Sequence, residues 1–137
     1  MEILIVDDSK QFRESLKDFL ENKLYHHVIA KAKSGEEFLT MKEEMQMADV
    51  ILMDIVMNKL DGVKATSKAL DMYPTIKIIA VTMHIEKLFL VQLIETGFKG
   101  CVNKIDIWAN LNEALNTVYS GSIYFPDDIK IIKKTMA

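Results

Sequence analysis

Asp7, Asp8, Asp54, Thr82 and Lys104 are the residues of this chain whose types and spacing could do chemistry together. Each stands at or just past the end of a short apolar run: ILIV before Asp7 and Asp8, VILM before Asp54, IIAV before Thr82, and Cys101–Val102 followed by Asn103 before Lys104. Taken singly they are ordinary, since a lone aspartate after a strand is more often a helix cap or turn former than a ligand. Taken together they raise an electrostatic question. Two carboxylates about 4 Å apart repel by about 4 kcal/mol at an effective dielectric of about 20, so adjacent aspartates at the exit of an apolar run call for a nearby cation. An all-oxygen carboxylate cluster with room for water is the environment Mg2+ prefers. Asp7 and Asp8 therefore read as metal ligands beside a third carboxylate, Asp54. Carboxylates can act as nucleophiles toward phosphorus and form aspartyl phosphates. A metal, the Lys104 ammonium and the Thr82 hydroxyl would meet the charge on three phosphoryl oxygens.

Such a set works only if a scaffold brings residues up to 97 positions apart to one edge. The runs Ile3–Val6, Val50–Met53 and Ile78–Val81 are rich in β-branched residues, as strands covered on both faces are; Val28–Ala32 and Cys101–Val102 are weaker candidates. Between them lie stretches with helical spacing. Phe12, Leu16, Phe19 and Leu20 follow a Ser9 cap, and Ile107, Leu111, Ala114, Leu115 and Val118 follow an Asp106 cap. Ser34–Leu39, Gly62–Tyr73 and Ile85–Thr96 supply three more. The alternation predicts an α/β fold, a parallel sheet with right-handed helical crossovers on both faces. In an open sheet of this kind ligands bind outside the carboxyl ends of the strands, where all five polar residues stand.

The 137 residues suit one domain able to bury its own core, with half of them hydrophobic and 27% charged. A net charge of −3 offers no basic field for nucleic acid, so DNA or RNA binding by this segment alone is not expected. A single cysteine, Cys101, excludes an internal disulfide, and no apolar run is long enough to span a membrane. The expected location is the cytoplasm.

The stretches IVDDS (5–9), LMDIVMNKLDG (52–62), IIAVT (78–82) and GFKGCVNK (97–104) resemble, in order and spacing, the receiver domain of two-component response regulators over residues 2–120. The resemblance implies a flavodoxin-like sheet of five strands in order 2-1-3-4-5. It makes Asp54 the phosphoacceptor, Asp7 and Asp8 the acidic pair for Mg2+, Val56 a backbone-carbonyl ligand, Thr82 the switch hydroxyl and Lys104 the charge partner of the phosphate. Similar domains take the phosphoryl group from a sensor histidine kinase or phosphotransfer protein, and they assist their own phosphorylation and dephosphorylation without being enzymes in their own right. Met57 matches a methionine common in the family. Val56 and His84 fall two positions beyond the phosphoacceptor and the switch threonine, where similar proteins act on the attacking water. Cys101 replaces a usual Tyr or Phe, Met83 a usual small residue, and Asn58 and Ile105 usual prolines.

After residue 120, GSIYFPDDIKII resembles the linker that leads to a helix-turn-helix domain in the NarL/LuxR-like class, so 121–137 reads as a tail, with a helical stretch after Pro126, toward an absent DNA-binding output domain. A stand-alone regulator that kept the tail is the alternative. Apolar residues such as Leu88, Phe89, Val91, Trp108 and Tyr119 on the fourth and fifth helices belong mostly to the core, and any left exposed would suit dimerisation. A haloacid-dehalogenase-like phosphatase needs a second spaced aspartate that Asp7-Asp8-Ser9-Lys10-Gln11 lacks, and a phosphate-binding glycine loop is absent. A receiver-shaped interaction module that is never phosphorylated is the other reading, supported by Cys101 and Met83.

Overall fold

Five apolar segments form parallel strands in the computed structural model, which describes residues 1–83 and 86–126. They are β1 (Glu2–Val6), β2 (His27–Ala32), β3 (Val50–Asp54), β4 (Ile78–Thr82) and β5 (Gly100–Asn103). They lie in one sheet in the order β2-β1-β3-β4-β5, as expected. The helices are α1 (Lys10–Asp18), α2 (Gly35–Thr40), α3 (Lys42–Met47), α4 (Gly62–Met72), α5 (Lys87–Thr96) and α6 (Ile107–Tyr119). The region after Ser34 is thus two short helices, broken where Met41 leaves helical geometry (φ −88, ψ 58).

The order of the strands dictates which face each helix covers. From β1 the chain first moves one way to β2 and then returns past β1 to β3, and a right-handed crossover changes face when the direction of travel reverses. So α1 and the helical turn that follows it at Phe19–Lys23, together with α6 after the last strand, pack Leu16, Leu20, Leu111 and Leu115 on one face against Ile3, Ile5, Leu52, Ile79 and Val81. The helices α2 to α5 pack Phe38, Met45, Ala65, Ala69, Leu90 and Leu93 on the other face against Leu4, Val6, Ile51, Met53, Ile78 and Ala80. The two-residue alternation along each strand divides the same runs between both cores.

Local chemistry fixes the helix starts. Ser9 Oγ accepts the Phe12 N–H at 3.2 Å, Ser34 Oγ the Glu37 N–H at 3.0 Å and Asp61 Oδ1 the Lys64 N–H at 2.9 Å, each satisfying a donor that the first turn leaves open. Gly62 answers a different need. A Cβ there would lie 2.1 Å from the Asp54 carbonyl oxygen, so α4 can start against the end of β3 only because that position has no side chain.

The sequence past residue 120 does not hang free at its beginning. Tyr124 forms a parallel bridge to Gly100; the Cys101 N–H donates to the Tyr124 carbonyl at 2.8 Å and the Tyr124 N–H to the Lys99 carbonyl at 3.0 Å. Phe125 is buried in the core beneath α2 to α5, while Tyr124 packs toward the opposite face. Gly100 permits the approach, since a Cβ there would lie 3.0 Å from the Tyr124 oxygen. The helical segment expected after Pro126, and His84, lie outside the described residues. Leu88, Trp108 and Tyr119 are exposed rather than buried, because α5 and α6 each turn only one side to the sheet.

Phe125→Ala should cost about 3–5 kcal/mol of unfolding free energy, because it empties a buried aromatic site. Leu88→Ala, 87% exposed, should stay within about 0.5 kcal/mol. Urea unfolding of the two variants checks the contrast.

Candidate functional site

At the exit of β1, Asp7 continues the ladder by donating its N–H to the Ala32 carbonyl at 3.0 Å. It then turns the chain: its Oδ1 accepts the Ser9 N–H at 2.8 Å, and Arg13 Nη1 donates to its backbone carbonyl at 2.7 Å. Asp7 is 1% exposed. Its second oxygen, Oδ2, is buried without an aligned hydrogen-bond donor, and the Lys104 ammonium meets it as an ion pair at 2.9 Å. Asp8 is exposed beside it.

Asp54, 4% exposed, is the last residue of β3. It pairs in register with Val81, which puts Thr82 one residue farther along the neighbouring strand and on the same rim. Thr82 is itself buried and pairs with Asn103, the residue before Lys104. A 3-10 turn over Lys104–Asp106, capped by Asn103 Oδ1 accepting the Ile105 N–H at 3.0 Å, aims the lysine back at the rim. Its Nζ lies 3.3 Å from Asp54 Oδ1. The expected residues are therefore brought to one edge from four strands.

One carboxylate oxygen each from Asp7, Asp8 and Asp54 lies within 4.8 Å of the others. This donor set, with a buried oxygen that lacks an aligned donor, fits a hard divalent cation such as Mg2+, and the exposed Asp8 leaves a side open to water. The electrostatics agree. Burial, and then the charge of Asp7, raise the Asp54 pKa to about 7 against the pull of Lys104. Burial alone would lower the Lys104 pKa, but its close ionic contacts with Asp7 and Asp54 outweigh that and raise it.

The surrounding residues divide. Val56 and Met83 are exposed at 62% and 61%, while Met57 turns into the core. Cys101 is buried, and burial pushes its thiol up to about 12, so it has no thiolate chemistry near neutral pH. Sequence reasoning missed three contributors. Gly62 sets the approach of α4 to Asp54, Arg13 holds the Asp7 carbonyl, and Phe12 places its ring 4.6 Å from Lys104 Nζ. Phe12 had read only as part of an apolar helix face, and its spacing carries no signal of a lysine 92 positions away.

A family model described as the response regulator receiver domain matches residues 3–116. The chain is 33% identical over 124 residues to the transcriptional regulatory protein DegU of Brevibacillus brevis, covering 90% of this chain and 52% of that protein. It is 33% identical over 129 residues to the response regulator GacA of Pseudomonas syringae, covering 94% and 60%. The chain thus spans about half to three fifths of the length of these curated relatives. Among solved structures, a LuxR-family two-component response regulator from Aurantimonas superposes with a TM-score of 0.86 at 25% identity, covering 99% of this chain and 98% of that one. The response regulator domain of Thermotoga maritima CheB superposes with a TM-score of 0.78 at 25% identity, covering 88% and 96%. No helix among the described residues is long and apolar enough to cross a membrane.

The raised pKa of Asp54 has a sign. A carboxyl group that holds its proton more tightly when folded contributes stability below its ordinary pKa of 3.8, and this is lost as pH rises through about 7. Without added metal, Asp54→Asn should gain in melting temperature over the wild type as pH rises from about 4 to about 8, with the two closest at the acid end. Thermal scans across that range check it.

Proposed function

Since the chain belongs to the response regulator receiver family, we propose that it is a signalling phosphoacceptor, taking a phosphoryl group onto Asp54 from a sensor histidine kinase or phosphotransfer protein. The observation that carries this reading is the meeting of Lys104, from the end of β5, with the buried carboxylates of Asp7 and Asp54 at 2.9 and 3.3 Å. Asp7, Asp8 and Asp54 would hold Mg2+ with the backbone carbonyl of Val56. The ion would neutralise charge on the carboxylates and the phosphoryl oxygens.

In the proposed transfer an Asp54 carboxylate oxygen attacks phosphorus, the new O–P bond forms as the N–P bond of the donor phosphohistidine breaks, and the imidazole leaves with the electron pair and takes up a proton. Lys104 already stands beside Asp54, so its ammonium can move from carboxylate to phosphoryl oxygen over a short path. The Thr82 hydroxyl, one residue past Asp54 on the adjacent strand, donates to another oxygen. Positioning and electrostatics supply the catalysis, and the domain promotes its own modification without turning over a substrate.

The proposed output is control of transcription through a DNA-binding domain. The relatives are longer and one is named a transcriptional regulatory protein, which supports residues 1–120 as the receiver, 121–137 as the connection and a DNA-binding domain farther on. The cytoplasm is the proposed location. Self-association would use the side of α5 that leaves Leu88 exposed, and sedimentation with and without a phosphoryl mimic reads it.

Beryllofluoride with Mg2+ should shift the spectra of residues at the strand ends in the wild type and leave Asp54→Ala unchanged; a wild type without any metal-dependent response would point to the unphosphorylated interaction module. Lys104→Ala should slow phosphorylation on the order of 10²-fold, the usual loss for a group that meets transition-state charge. Met83 is exposed beside Thr82, so Met83→Ala should accelerate labelling by acetyl phosphate severalfold.

A further inference from the structure

Lys104 has two jobs that conflict. Asp7 Oδ1 already accepts the Ser9 N–H, while Oδ2 has no aligned hydrogen-bond donor and is the oxygen paired with Lys104 at 2.9 Å, so a metal bound through Oδ2 would compete with the lysine. A divalent ion on the carboxylates would take this oxygen and repel the ammonium. With Asp7 taken and the Asp54 contact at 3.3 Å weakened by the same ion, a lysine on a flexible four-carbon stem would be free to swing into water just when a phosphoryl oxygen needs it.

The Phe12 ring supplies the support. It lies 4.6 Å from Nζ, well inside the range of a cation–π contact. The ring is held firmly: the Ser9 cap fixes the Phe12 backbone in the first turn of α1, and Trp108 packs on it at 6.2 Å and 37°. Phe19, near the other end of α1, braces Trp108 at 5.0 Å. Trp108 is four residues past Lys104 along the 3-10 turn and α6, so the residue that buttresses the ring and the residue the ring holds belong to one stretch of chain.

We infer that Phe12 is a positioning residue for Lys104: its ring face keeps the ammonium at the rim while a divalent ion takes over Asp7, so that the lysine is in place for the phosphoryl group. Phe12 touches neither metal nor phosphorus. The inference rests on the phosphoacceptor reading of Asp54 for its consequence, but the contact itself can be tested apart from it.

The test compares wild type with Phe12→Leu, which keeps an apolar side chain without the ring, and with Phe12→Tyr, which keeps the ring. Mg2+ alone is titrated first, and beryllofluoride is then titrated at saturating Mg2+. Phe12→Leu should bind beryllofluoride roughly 3- to 10-fold more weakly, the scale of one partly desolvated cation–π contact, with Mg2+ affinity not weakened. Phe12→Tyr should restore the wild-type value. The ε-methylene protons of Lys104 should show a ring-current shift in the wild type and the Tyr variant that disappears in the Leu variant. Equal weakening of Mg2+ and beryllofluoride binding, no change in either, failure of Tyr to rescue, or a Lys104 shift indifferent to the ring would each overturn the inference. A wild type that ignores beryllofluoride while keeping the ring-current shift would instead overturn the phosphoacceptor reading and leave the lysine–ring contact established.

Discussion

Negative charge held against itself at one rim of a sheet is the constraint on which this structure depends. Asp7 and Asp54 are both almost fully buried and Asp8 stands beside them, so burial and mutual repulsion both work against their ionised forms. Lys104 is what makes the cluster tolerable in the absence of a second cation, pairing with both buried aspartates at once. That requirement reaches far into the fold. The lysine has to arrive from β5, two strands away from β3 and three from β1, so the sheet must be complete before the charges are balanced.

The strands can meet that demand because their sides belong to different cores. Apart from Glu2 at the start of β1, the strands that contribute polar termini are apolar up to their last residues, and the apolar part is locked between α1 and α6 on one face and α2 to α5 on the other. The rim is therefore the end of a rigid body. Shape is controlled there by backbone devices as much as by side chains. Asp7 turns the chain on its own carboxylate, Asn103 turns the 3-10 segment toward the rim, and the missing side chain at Gly62 lets a helix begin against the Asp54 carbonyl. Stability is given up in return, since the burial that seats Asp54 at the rim also makes its charge costly.

Much of this was legible in the sequence because period and chemistry agreed. The three strong β-branched runs ended at charged or hydroxyl residues, and the alternation of strands and helices permitted few topologies, so the sheet and its polar edge could be expected together. The weaker run at Cys101–Val102 is a true strand extended by one residue at each end, as its neighbours in the sheet supply the pairing that its own composition does not announce. What escaped was of two kinds. The break at Met41 and the docking of Ile123–Phe125 depend on tertiary contacts that no local period encodes. The involvement of Phe12 depends on a lysine brought in from the end of β5, and that of Arg13 on a side chain folding back six residues to the Asp7 carbonyl, so both look like ordinary members of an amphipathic helix in the sequence.

The seam between Tyr124 and β5 bears on how the molecule avoids sticking to others. An outermost strand with open amide and carbonyl groups is a template for pairing with foreign chains. Here the Cys101 amide and the Lys99 carbonyl are already engaged by Tyr124, and Phe125 plugs the adjoining core. The strap thereby acts as a built-in shield against edge-to-edge aggregation, on the flank of the sheet nearest to Lys104.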